Sequence, residues 1–167
     1  MTYLKLNYSV KVLLLLAAVS LSQAVFAKGY QMSIVPGHSQ GYLVQQGRYE
    51  EAMSSISLVG SRQFPANTNL CVAQAKAGHL IEARASCERA VDAARIDAKI
   101  GKRVNHNYAA DLAVALTNRG VLRVILGDLA GAEKDFRMAI ELHAGSDTPL
   151  QNLAILNQVT KDSLAVK

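Results

Sequence analysis

Three times along this chain a glycine is followed two residues later by a large apolar residue and five residues later by an alanine. The copies are Gly47-Tyr49-Ala52, Gly78-Leu80-Ala83 and Gly127-Leu129-Ala132, spaced 31 and 49 residues apart. Self-similarity on this scale marks a repeated supersecondary unit. A helical pattern stands on each side of the third glycine. Leu112, Leu116, Leu122, Val124 and Leu126 lead into it, and Leu129, Ala132, Phe136, Ala139 and Ile140 follow at the three-four spacing of one helix face. Glu133, Lys134, Asp135, Arg137 and Glu141 fill the opposite face. Gly127 suits the left-handed conformation that ends a helix, and Asp128 suits the cap of the next. A turn this short makes the two helices antiparallel neighbours. Gly120 and Ala132 let them approach closely, Ala139 adds a contact and Phe136 is the wedge between them.

These residues resemble the tetratricopeptide repeat, a helix-turn-helix unit of about 34 residues. The fullest copy supplies Leu116, Asn118, Gly120, Gly127, Asp128, Leu129, Ala132, Phe136, Ala139 and Leu142. Arg119 and Arg123 depart from the apolar residues usual at their places. A second copy supplies Asn69, Leu70, Gly78, Leu80, Ala83 and Ala90, with Cys71 at the small position and Cys87 at the aromatic one. A partial copy holds Gly47, Tyr49, Ala52 and Ile56, and Pro149 to Ala154 reads as a lone closing helix. The resemblance implies an all-α fold: a short right-handed solenoid of helical hairpins with a C-terminal capping helix. The expected organisation is a partial hairpin over 36–60, a repeat with an extended second helix over 64–100, a linker over 101–110, a repeat over 111–145 and a cap over 148–162.

The first 27 of the 167 residues read differently. Lys5 and Lys11 precede an unbroken apolar run from Val12 to Ala18, and Val25 and Ala27 suit a signal peptidase, which predicts cleavage after Ala27. Val12 to Ala27 is 16 residues broken by Ser20, Ser22 and Gln23, short of the roughly 20 apolar residues of a membrane span. Export, most simply to the periplasm of a Gram-negative bacterium, is the expectation, with membrane contact only through the signal. Removal takes two lysines and no acid, leaving 16 basic and 13 acidic residues. So small an excess argues against a nucleic-acid partner. Residues 28–35, with Gly29 and then Pro36 and Gly37, read as a flexible lead-in.

In the family, stacked hairpins form a concave face lined by the first helix of each unit. The resemblance places Thr68, Val72, Ala75, Lys76, Val114, Thr117, Val121, Val124 and Ile125 on that face. Asn69 and Asn118 are present, but Val114 and Val121 replace the cations of a carboxylate-gripping groove. The lining fits an apolar peptide or helix better, and it equally fits being covered by the closing helix, the N-terminal segment or a second protomer. Gly47, Ala52, Gly78, Ala83, Ala90, Gly120, Gly127, Ala132, Phe136 and Ala139 are packing positions. Cys71 and Cys87 lie 7 and 9 residues from Gly78 on the facing sides of one hairpin. In an oxidising compartment they fit a disulfide; two buried thiols are the other reading, and no Cys-x-x-Cys spacing supports redox chemistry. Arg95, Lys99, Lys102, Arg103 and His106 form a basic run that reads as a solvated helix face. His38, His79, His106 and His143 stand singly, without a second ligand at metal spacing, and no catalytic constellation or cofactor motif is present. The expected function is non-catalytic binding of a protein or peptide as an exported adaptor or assembly factor; the alternative is homo-oligomerisation through the concave face.

Overall fold

The computed structural model describes residues 24–26, 28–37, 39–56, 63–100 and 107–165. The apolar run of the expected signal, Val12 to Ala18, and Ala27 at the expected cleavage point lie outside these residues. Among the described residues the chain is all-α. A short helical piece at 24–26 precedes α1 (Ser39–Gln45), α2 (Tyr49–Ile56), α3 (Phe64–Ala77), α4 (Leu80–Ile100), α5 (Tyr108–Ile125), α6 (Leu129–Leu142) and α7 (Asp147–Ala165). None of the described helices is long and apolar enough to cross a membrane.

The three glycine turns share one geometry. Gly47, Gly78 and Gly127 have φ of 75°, 83° and 81°, in the left-handed region open to a residue without Cβ. In each turn the residue after the glycine donates its N–H to the carbonyl five residues back: Arg48 to Leu43, His79 to Gln74 and Asp128 to Arg123, all at 2.9 Å. This closing bond satisfies a carbonyl that the end of a helix would leave unpaired. Asp128 then caps α6 by accepting from the Gly131 N–H, and Asn107 caps α5 by accepting from the Ala110 N–H. α4 reaches Ile100, the end expected for the extended helix, whereas α5 starts at Tyr108, three residues before the expected repeat boundary.

Each helix packs against the next one in the chain, and α1, α3, α5 and α7 also touch in succession. The core between them sets small residues against a few large ones such as Leu116, Leu122 and Phe136. The motif alanines Ala52, Ala83 and Ala132 are wholly buried, as are Phe136 and Ala139. Gly120 is required by this closeness: a Cβ there would lie 2.5 Å from Phe136 Cε1. Cys71 on α3 and Cys87 on α4 form a disulfide, Cα atoms 4.9 Å apart, inside the same hairpin interface. The arginines that depart from the repeat pattern pair across three helices. Arg119 makes two bonds to the buried Asp135 carboxylate, at 2.7 and 2.8 Å, and one to Glu88 at 2.7 Å. Arg123 reaches Asp135 at 2.9 Å. The bonds to Asp135, then to Glu88, hold the Arg119 guanidinium charged against the opposing effect of burial.

Candidate functional site

The residues expected on the concave face are gathered on α3 and α5, and a second segment of the chain lies over them. Thr68, Val72, Ala75, Thr117, Val121 and Ile125 are buried; Lys76, Val114 and Val124 are half-buried. The cover is residues 30–35, the stretch read from sequence as a flexible lead-in. Tyr30 shares a cluster with Val121, Ile125, Leu153 and Leu156. Met32 packs where three clusters meet, including those of Ala75 and Val72. Ile34 lies on the Val44 and Val72 cluster, and Val35 on that of Phe64 and Leu116.

Three asparagines hold this strap by its main chain. Asn152 Oδ1 on α7 accepts from the Gln31 N–H at 2.9 Å, and Asn152 Nδ2 donates to the Gln31 carbonyl at 2.8 Å. Asn118 on α5 makes the same two bonds with Ser33, both at 2.7 Å. Asn69 on α3 makes them with Val35, at 2.8 and 3.1 Å. One carboxamide from each of α7, α5 and α3 therefore serves the N–H and carbonyl of one strap residue. The strap advances two residues per helix, the period at which an extended chain returns the same edge. It runs from α7 towards α3, against the order of the helices.

These bonds are obligatory for the packing as it stands. Asn69, Asn118 and Asn152 are at most 1% exposed, and a buried carboxamide left without partners forfeits its solvation. Main chain is the matching partner, because the carboxamide sets an acceptor beside a donor, and one extended residue presents its N–H and its carbonyl on the same edge. At the α3 end, the approach depends on Gly41 of α1, where a Cβ would lie 2.6 Å from the Val35 carbonyl oxygen and 3.2 Å from Asn69 Nδ2. At the α7 end, the Tyr30 side chain is 3% exposed and its hydroxyl is buried without a partner. Burial raises the Tyr30 hydroxyl above the usual tyrosine range. Beside it Lys76 Nζ sits 3.5 Å from the centre of the Phe26 ring, and burial pulls that ammonium below the usual lysine range.

Sequence reasoning named Asn69 and Asn118 as residues of the repeat motif and weighed them for a carboxylate clamp, and it gave Asn152 no role beyond the closing helix. A signal was available: Asn69 and Asn118 each stand nine residues before their turn glycine and each follows a threonine. Equal register on equivalent helices places them on one face.

The other candidates are dispersed. Arg95 and Lys99 are on the exposed end of α4, Arg95 lying 3.9 Å from Asp92; Lys102, Arg103 and His106 lie outside the described residues, as does His38. His79 precedes α4 and faces Glu50 at 3.4 Å, while His143 ends α6. Among the described residues no three His, Cys, Asp or Glu side chains are grouped to hold a metal ion. A cavity of about 100 Å³ is lined by Arg84, Glu88, Arg119, Leu122, Arg123 and Asp128, where the paired carboxylates already answer the Arg119 and Arg123 cations. No protein-family model, characterised protein or solved structure matches the chain.

Proposed function

We propose that this protein is a non-catalytic binding module for an extended protein segment, built from tetratricopeptide-like hairpins in a short right-handed solenoid. The observation that carries the reading is the row of Asn69, Asn118 and Asn152, each bonded to both the N–H and the carbonyl of one strap residue. Such a row grips any extended chain independently of its side chains, as strand addition does at a sheet edge. The spacing supports a concave face. Two extended residues span roughly 6.6 Å, less than the roughly 8–10 Å between packed helix axes, so carboxamides that match them converge on the inner side of a curve. Export after cleavage at Ala27 would place the module outside the cytoplasm, where the Cys71–Cys87 bond is maintained.

Selection of extended peptides from a displayed library tests the reading. With the strap cut free after Gly37 and helicity retained, binders should lose at least about tenfold in affinity towards each of Asn69→Ala, Asn118→Ala and Asn152→Ala taken singly. Binders indifferent to all three changes would refute it. A second reading is self-association, supported by the fact that the groove is filled here by the chain's own sequence. Mass by light scattering across a concentration series decides between them, since a monomer at every concentration excludes self-association.

A further inference from the structure

The strap is also a template for what the groove accepts. Its positions are of two kinds. At 31, 33 and 35 the main chain is held by the asparagines; the Gln31 side chain is exposed, while Val35, at the end of the row, also packs on the Phe64 and Leu116 cluster. At 30, 32 and 34 an aromatic, a methionine and a branched aliphatic side chain enter successive apolar clusters along α7, α5 and α3. From 30 to 34 the side chains alternate as those of an extended chain do, so the main-chain grip fixes the register in which three apolar clusters are read.

The fit is incomplete at one pocket. The buried Tyr30 hydroxyl has no partner, and a polar group in that condition weakens the association that buries it. A phenylalanine would fill the same space without the cost. The strap is thus an occupant that a better segment can replace. It is followed by the exposed residues Pro36 and Gly37, the latter at φ 86°, shortly before α1 begins at Ser39, so a strap that leaves the groove stays tethered beside it and competes with any newcomer.

We infer that the ligand of this groove is an extended protein segment with a large aromatic, a Met- or Leu-like and a branched aliphatic side chain at positions i, i+2 and i+4. It lies with its N-terminal end at α7, and it binds by displacing residues 30–35. The inference rests on the binding function proposed above and adds to it the sequence pattern, the direction and the built-in competitor.

The test uses the full chain with a protease site inserted after Gly37 and cut after folding, so that the strap remains seated but untethered. Circular dichroism verifies that the nicked chain is helical. A fluorescent peptide of residues 28–37 is then followed by anisotropy, with single N-methyl groups scanned along it. N-methylation at 31, 33 or 35 should weaken binding at least about tenfold, and at 32 or 34 less than about threefold. Tyr30→Phe in the peptide should tighten binding, and Ser at 30, 32 and 34 together should abolish it. The uncut chain should bind the same peptide at least about tenfold more weakly than the nicked one. A triple-serine peptide that binds like the parent overturns the sequence pattern while sparing the main-chain grip. N-methyl effects that are equal at every position overturn the grip itself, and with it the proposed function. A nicked, helical chain that exchanges its strap with no peptide overturns the inference.

Discussion

Replacing Asn118 by alanine should cost about 2–3 kcal/mol of folding stability, a value that follows from the middle rung of the row. Asn118 makes two bonds of 2.7 Å to Ser33, and a neutral hydrogen bond contributes about 1 kcal/mol net. Ser33 is only half-buried, so its freed N–H and carbonyl can recover water and the full penalty for orphaned groups does not apply. The small void left by the carboxamide adds to the two lost bonds. In a chain of this length such a change lowers Tm by roughly 5–10 °C. Urea unfolding of the single variant, of Asn152→Ala and of the double variant gives the decisive comparison. The rungs share one strap, so once it has peeled from α5 the loss of the α7 rung matters less. The double variant should therefore be destabilised by less than the sum of the singles. A single-variant change below about 0.5 kcal/mol, or strict additivity, would refute the idea that the row acts through a common bound segment.

Gly41→Ala should destabilise the chain although alanine is the better helix former by about 1 kcal/mol, because the new Cβ displaces the Val35 carbonyl; amide exchange at Val35 should quicken, and a stabilised variant would contradict the contact. Cys71→Ala with Cys87→Ala should cost about 3 kcal/mol, from a 16-residue separation in the chain-entropy estimate, and the wild-type disulfide, wholly buried, should resist reductant until the chain unfolds, as read by thiol labelling. Alkali should release the strap. Tyr30 is held above its ordinary pKa of 10.0 by burial, so the fold favours the neutral phenol; its contribution is complete below pH 10 and is lost as pH rises from there through the folded-state value. Lys76, shifted down from 10.5, acts in the opposite direction and below that pH, so the comparison is with Tyr30→Phe, which should keep its stability at pH 11 better than wild type; equal curves would contradict the burial of that hydroxyl.

The hairpins were legible because their determinants are local. A glycine at positive φ, an aspartate cap and a three-four apolar face act within one turn of helix, and Gly127, Asp128 and Phe136 occupy the roles their spacing implies. The pairing of Cys71 with Cys87 was legible for the same reason, since both are counted from one turn. The strap was not. Gly29, Pro36 and Gly37 suggest a loose lead-in, and nothing local in Tyr30 to Val35 says that its partners lie 34, 85 and 121 residues away. Such long-range pairings are visible only once helices have brought equivalent positions together. The apolar lining gave the same ambiguity, because a groove and a covered face have one composition.

Amide hydrogen exchange of the wild-type chain, resolved at single residues by NMR, tests the main-chain grip most directly. The account predicts alternation: Gln31, Ser33 and Val35 protected together by their asparagines, with Met32 and Ile34 exchanging at least about tenfold faster. Uniform exchange from 30 to 35 at the rate of an unstructured peptide would contradict it.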